Sequence, residues 1–250
     1  MVTGYHLHGH GPARAIVLSG WIGDWRVFEP MLGAIDEQRL SLAFMDNRGY
    51  GVARDSDGPY DMATIAADAR ALADRLGWER FSVIGHSMGG KAALRLAIDI
   101  SDRVERIVGI TPVWAGAAPL DPDLVAICRG AAEDVSLREL LVRVTTGEAL
   151  SPRWSQRIAE ASAQVCRKDA YAAYFEAWAF NDFANEARGL PHPTLVIAGG
   201  SDNGVPEAGI EATWLAELPK ATLHRLPHAG HYPMQECPPL LARIIEDFLA

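Results

Sequence analysis

FSVIGHSMGGKAA, residues 81–93, joins a short apolar run to a helix-forming run through a turn rich in glycine. The run 81–84 is too short for an independent helix and predicts a buried strand, whereas residues 88–100 predict a helix. The turn between them, Gly85-His86-Ser87-Met88-Gly89, has the form G-x-S-x-G. In a sharp strand-to-helix turn this pattern exposes the serine hydroxyl, and side chains at the two glycines would collide with neighbouring elements. Ser87 is therefore the predicted nucleophile.

Short apolar runs recur on both sides of this turn and alternate with stretches of helical periodicity. The predicted strands, besides 81–84, are 15–18, 40–45, 104–110, 194–198 and 221–226. The predicted helices, besides 88–100, are 62–76, 206–218 and 239–249. Such alternation predicts an α/β fold with a mostly parallel sheet and helices on both of its faces.

The alternation is interrupted between residues 113 and 190, which have helical periodicity and no convincing strand. This segment predicts an insertion of three or four helices that divides one core into residues 1–112 and 191–250. It contains a cluster of aromatic side chains, most of which we expect in the core of the insertion, with some facing the sheet.

Composition excludes several classes of function. The chain has 250 residues, of which 49% are hydrophobic and 22% charged, as expected for a soluble globular protein. A net charge of −9 without clustered Lys or Arg argues against nucleic acid and anionic membranes as partners. The first twelve residues show neither a signal peptide nor a membrane span, which favours a cytoplasmic protein. The three cysteines lack the spacing of a zinc site, so no metal is expected.

Two segments of the chain resemble a known family. The turn Gly85–Gly90 and the segment Asp46–Gly51 after the preceding strand are similar to those of the α/β hydrolases, in the esterase, haloperoxidase-like and carbon–carbon hydrolase branches. The resemblance implies an eight-stranded, mostly parallel sheet with a helical cap at 113–190. It also implies the chain order nucleophile, acid, histidine, and chemistry that needs no cofactor.

A serine hydroxyl needs a general base, and a histidine oriented by a carboxylate is the usual arrangement. His231, in the loop PHAGHYP before the last helix, is the predicted base, and His228 is the alternative. Asp202 follows the predicted strand 194–198 and lies 29 residues before His231, which makes it the predicted acid. Asp182, in the insertion, is the weaker alternative. His86 is expected to pack or to hydrogen-bond behind the reacting groups.

Two backbone amides are expected to bind a developing oxyanion. One is that of Met88, at the amino terminus of the helix after Ser87. The resemblance implies that the second is that of Trp21, in the loop Ser19-Gly20-Trp21 after the first predicted strand. The family commonly has His-Gly where this chain has Ser19-Gly20, a departure that leaves a backbone donor in place.

An apolar substrate pocket is predicted from the tryptophans outside the sheet, since ligand pockets are mostly apolar. The candidates are Trp25, Trp114, Trp154 and Trp178, together with Trp21. Arg48 either anchors the loop after Asp46 or meets a substrate carboxylate, and the structural role is favoured.

The sequence predicts hydrolysis of a small carboxylic ester through an acyl-enzyme on Ser87. Cleavage of a carbon–carbon bond in a diketone-like substrate and hydrolysis of a lactone use the same three residues and stay open, because one fold supports many reactions. A function of another class is a ligand-sensing receptor that keeps the fold without turnover. A complete set of catalytic residues favours the enzyme.

Overall fold

A computed structural model describes residues 4–250 and contains a sheet of seven strands in the order β1-β3-β2-β4-β5-β6-β7. All neighbours are parallel except β1, which is antiparallel to β3. The strands are β1 (Tyr5–His8), β2 (Ala13–Leu18), β3 (Leu40–Met45), β4 (Phe81–His86), β5 (Val104–Ile110), β6 (Thr194–Gly199) and β7 (Ala221–Leu226). The predicted α/β fold is confirmed.

The expected number of eight strands is wrong for residues 4–250. The six strands predicted from apolar runs are all present, and β1 is the seventh. Only residues 9–12 separate β1 from β2, and β1 pairs directly with β3 along Tyr5–His8. No strand lies between β1 and β2 in the chain, and β1 is the edge strand of the described sheet.

Eleven α-helices are present in the described chain. They are α1 (Glu29–Leu32), α2 (Met62–Leu76), α3 (Met88–Asp99), α4 (Pro122–Gly130), α5 (Val135–Thr145), α6 (Pro152–Val165), α7 (Lys168–Phe180), α8 (Ala184–Ala187), α9 (Glu207–Ile210), α10 (Pro233–Glu236) and α11 (Pro238–Leu249). A π-helical turn, Glu211–Leu215, continues α9. None of the helices within residues 4–250 is long and apolar enough to cross a membrane.

Helices cover both faces of the sheet because the strand side chains alternate between two cores. In β2, Ile16 and Leu18 belong to the core that includes α2 and α3, whereas Ala15 and Val17 belong to the core that includes α1 and α11. Strands β3, β4 and β6 are buried along their whole length, as expected for a parallel sheet covered on both sides.

Helices α4–α8 lie between β5 and β6 in the chain, where the helical insertion was predicted. A buried lysine of α3 holds this segment in place. The Lys91 ammonium donates to the carbonyls of Gly116, Trp178 and Asn181 at 2.8, 2.9 and 2.6 Å. Burial lowers the pKa of Lys91 to about 8. The helix that follows Ser87 is therefore bonded directly to the insertion.

Candidate active site

Ser87 occupies the tight turn between β4 and α3 and has a backbone conformation with φ 52° and ψ −118°. A positive φ is rare for a residue with a side chain, and it is found where surrounding structure enforces it. Glycine is required at positions 85 and 89 because neighbouring backbone atoms lie too close for a side chain. A Cβ on Gly85 would lie 2.2 Å from the carbonyl oxygen of Gly89, and a Cβ on Gly89 would lie 2.3 Å from that of Leu18.

The structure brings Ser87, His231 and Asp202 into one hydrogen-bonded chain. The Ser87 hydroxyl lies 2.9 Å from Nε2 of His231, and Nδ1 of His231 lies 2.7 Å from Oδ2 of Asp202. Because a carboxylate only accepts, Nδ1–H donates to Asp202, and Nε2 is left to accept the serine proton. This geometry suits removal of a proton from Ser87 by His231.

The acid is fixed in the loop after β6. The side chain of Asp202 is fully buried, and its Oδ1 accepts from the backbone N–H groups of Gly204 and Val205 at 2.8 and 3.0 Å. Its other oxygen, Oδ2, meets His231. The carboxylate therefore fixes the imidazole orientation as well as offering a negative charge to an imidazolium.

The loop after β2 lies directly beside Ser87. A Cβ on Gly20 would be 3.3 Å from the Cβ of Ser87 and 2.7 Å from Nδ1 of His86, so only glycine fits this approach. The next residue, Trp21, is held on two sides. Its indole N–H donates to the carbonyl of Tyr171 at 2.8 Å, and its own carbonyl accepts from the Tyr50 hydroxyl at 3.0 Å.

The backbone amides of Trp21 and Met88 are available as donors. Within residues 4–250 neither N–H group donates to another backbone carbonyl outside the regular elements. Met88 is the first residue of α3, where amides have no partner inside the helix and the helix dipole favours negative charge. Both amides flank the serine turn, where an oxyanion would form.

His86 is buried beside His231 and hydrogen-bonds to its backbone. Its Nε2 lies 2.8 Å from the carbonyl oxygen of His231, and it therefore donates to that carbonyl. Burial, together with the neighbouring His231, lowers the pKa of His86 to about 3. A neutral imidazole of fixed tautomer therefore supports the backbone of His231.

A cavity of about 570 Å³ opens above Ser87 and His231, which both line it. Its other walls come from the loops after β2, β5 and β6 and from the insertion. Trp21, Trp114 and Trp178 line it, together with Leu120, Leu124, Leu141, Cys128, Val205 and Ile210. Among residues 4–250, no Lys, Arg, Asp or Glu lines this cavity. Its polar groups besides the serine and the histidines are supplied by Thr145, Asn203, Thr213 and Tyr232.

Two predicted pocket residues lie outside this cavity, which corrects that part of the prediction. The Trp25 ring stacks on His6 of β1 at a centroid distance of 4.1 Å, a partner on a strand that the sequence pattern had not indicated. Trp154 packs edge-to-face against the ring of Tyr232 at 5.8 Å, and it is Tyr232 that lines the cavity.

The alternative residues are placed away from the hydrogen-bonded chain. His228 is exposed, and Asp182 is exposed with its carboxylate bonded to the amide of Ala184. Arg48 forms a two-point ion pair with Asp68 at 2.7 and 2.8 Å and does not line the cavity. Its observed contacts fit the structural role.

Sequence reasoning missed two side chains that contact the backbone around His231. Thr111, buried with φ 41°, donates its hydroxyl to the His231 carbonyl at 3.1 Å. Glu236 accepts from the amides of Gly230 and Tyr232. No local pattern marks Thr111, since its partner lies 120 residues away. An acidic residue five positions after His231 was a signal that could have identified Glu236.

Comparison with known proteins gives consistent similarities. A family model described as alpha/beta hydrolase fold matches residues 16–236. A 2-hydroxymuconate semialdehyde hydrolase of Pseudomonas putida is 30% identical over 254 residues, covering 98% of this chain and 85% of the relative. A putative carbamate hydrolase of Variovorax paradoxus is 28% identical, covering 98% and 95%. The enol-lactonase structure from Burkholderia xenovorans LB400 has a TM-score of 0.84 at 25% identity and covers 98% and 95%.

Proposed function

The chain belongs to the α/β-hydrolase fold family, and we propose that within it the protein is a serine hydrolase of small, uncharged carboxylic esters. The expected family resemblance is thereby confirmed. Ser87 is the nucleophile, His231 the general base and acid, and Asp202 the orienting carboxylate. The amides of Trp21 and Met88 bind the oxyanion.

The reaction proceeds in two halves without a cofactor. The Ser87 oxygen bonds to the ester carbonyl carbon while its proton passes to Nε2 of His231, and the carbonyl oxygen becomes an oxyanion between the two amides. The tetrahedral intermediate then expels the alcohol, which takes the proton from His231. Water, deprotonated by the same nitrogen, attacks the acyl-enzyme and releases the carboxylic acid and free Ser87.

The observation that carries the proposal is an uncharged cavity directly above the bonded serine and histidine. A substrate carboxylate bound in an apolar site requires a cationic partner, because an unpaired buried charge costs several kcal/mol. None of the cavity-lining residues of the described chain is Lys or Arg. An ester with apolar acyl and alcohol groups suits such walls.

Carbon–carbon or lactone hydrolysis is the second candidate. It is favoured by the similarity to the 2-hydroxymuconate semialdehyde hydrolase along 98% of this chain and to the enol-lactonase structure. Both reactions can use the same bonded serine and histidine. The substrate named for that relative, a muconate, is a carboxylate. The cavity of this protein has no Lys or Arg in its described lining to pair with a carboxylate, which favours the ester.

A matched pair of activated esters tests the proposal. We expect p-nitrophenyl pentanoate to be hydrolysed with a kcat/KM at least about 100-fold above that of the mono-p-nitrophenyl ester of succinic acid, because the latter places a carboxylate in the apolar cavity. Equal turnover of the two esters would refute an uncharged acyl site. If a 2-hydroxy-6-oxo-dienoate were cleaved faster than every ester, the second candidate would replace the first.

Asp202→Asn should lower kcat by about 10⁴-fold, because an amide in place of the carboxylate favours the wrong histidine tautomer and leaves an imidazolium without its counter-charge. The matched control is Asp182→Asn, in an exposed carboxylate of the insertion, which should keep wild-type kcat. The assignment of the acid fails if Asp182→Asn is the variant that loses turnover. Initial rates on p-nitrophenyl pentanoate measure both.

A further inference from the structure

Glu236, the last residue of α10, lies against the histidine loop, which we define as Pro227–Pro233. Its two carboxylate oxygens accept from different backbone amides: Oε2 from Gly230 at 2.7 Å and Oε1 from Tyr232 at 2.8 Å. These are the amides immediately before and after His231. One carboxylate therefore spans the peptide units on both sides of the base.

We propose that Glu236 is a positioning residue that fixes the backbone of the histidine loop and so holds Nε2 of His231 on the Ser87 hydroxyl. The inference rests on the proposed function, since it assigns a role within the same site. Glu236 does not line the cavity and has no place in the bond-making steps. Its action is exerted through His231.

The hydrogen bonds of the loop support this role. His86 and Thr111 both donate to the His231 carbonyl, at 2.8 and 3.1 Å. Together with the two bonds to Glu236, four bonds from side chains act on the backbone of residues 230–232, which precede α10. Glu236 accepts two of these four bonds, and hydrogen bonds to a carboxylate are stronger than those between neutral groups.

The Glu236 side chain is partly buried. Burial raises the pKa of Glu236 above its usual value, and the bonds from Gly230 and Tyr232 act in the opposite direction. The neighbouring Asp202 carboxylate also raises the pKa of Glu236. Removing one of its two acceptor oxygens leaves a buried backbone amide, of Gly230 or Tyr232, without a partner, which is unfavourable and permits the loop to shift.

Glu236→Gln removes one acceptor oxygen without changing the size of the side chain. The amide of glutamine has a single acceptor oxygen, and its NH₂ group faces the other backbone N–H. We expect kcat on p-nitrophenyl pentanoate to fall about 10- to 100-fold, as for a small displacement of a catalytic group. KM should change much less, because Glu236 does not line the cavity and most of the lining comes from other segments. Glu236→Asp, which keeps both acceptors, should recover part of kcat.

Glu246→Gln is the matched control. Glu246 is also a buried carboxylate near the carboxyl terminus, and it accepts from the backbone amide of Asp36, with Arg39 at 3.9 Å, away from the cavity. We expect a comparable loss of thermal stability and no change in kcat. A general effect of folding on activity would instead lower kcat in both variants.

Two readouts do not depend on which substrate the protein uses. One is the rate at which a fluorophosphonate labels Ser87, and the other is the far-downfield proton resonance of the bond between His231 and Asp202. Both should change in Glu236→Gln and stay at wild type in Glu246→Gln. The positioning role is overturned if Glu236→Gln keeps the wild-type labelling rate and resonance. A wild-type protein that is labelled but hydrolyses no ester would overturn only the proposed ester function.

Discussion

Ser87→Ala is expected to lower kcat/KM for p-nitrophenyl pentanoate by about 10⁶-fold, the loss found when the nucleophile of a serine hydrolase is removed. The structure explains the size of the effect. The Ser87 hydroxyl is the group bonded to Nε2 of His231 at the base of the cavity, and no other side chain of residues 4–250 makes that contact. Without it, neither the acyl-enzyme nor the attack that precedes it can form.

The loss should not come from unfolding. Alanine keeps the same Cβ as serine at φ 52°, so we expect the melting temperature to change by only a few degrees. Ser82→Ala, in the buried strand that precedes the turn, is the control and should keep its activity. A Ser87→Ala variant that still released p-nitrophenol, or a fluorophosphonate label on another residue, would exclude the assigned nucleophile. A folded wild-type protein that turned over no ester, thioester, lactone or diketone would favour the ligand-sensing receptor.

His231→Ala is expected to lower kcat by about 10⁶-fold as well, because nucleophile and base act as a unit and removal of either costs nearly the same. The serine proton then has no acceptor at 2.9 Å, and the leaving alcohol has no proton donor. Single-turnover measurements with p-nitrophenyl pentanoate should show the loss in the acylation step itself.

His228→Ala is the matched control, since His228 lies on the same loop and is exposed. It should retain wild-type kcat. The opposite pair of results, activity in His231→Ala and loss in His228→Ala, would contradict the assignment of the base. The double variant Ser87→Ala/His231→Ala should be little worse than either single variant, because the two effects are not additive.

Local sequence determined the elements of the fold. Short, mostly apolar runs of four to seven residues predict strands, and Gly77, at φ 66°, ends α2 where the helical periodicity stops. The order of Ser87, Asp202 and His231 along the chain, each just after a predicted strand, was likewise readable. These features depend on sterics and periodicity within a few residues, so a sequence without any partner information contains them.

Side-chain partners were decided by the tertiary structure. Trp25 was predicted in the pocket because ligand pockets are mostly apolar, yet its ring stacks on His6 of β1. The cavity lining is uncharged because of the residues that the fold brings together there from several distant segments of the chain.

The serine turn separates most clearly what the sequence determined from what the tertiary structure decided. Sequence alone identified Ser87 and the glycines that its conformation requires, because a strained turn excludes side chains within a few ångström of itself. The supports of its base, from Thr111, His86 and Glu236, became visible only in three dimensions. Two of those contacts join residues more than 100 positions apart, and no local pattern encodes which distant amide or carbonyl a side chain will meet.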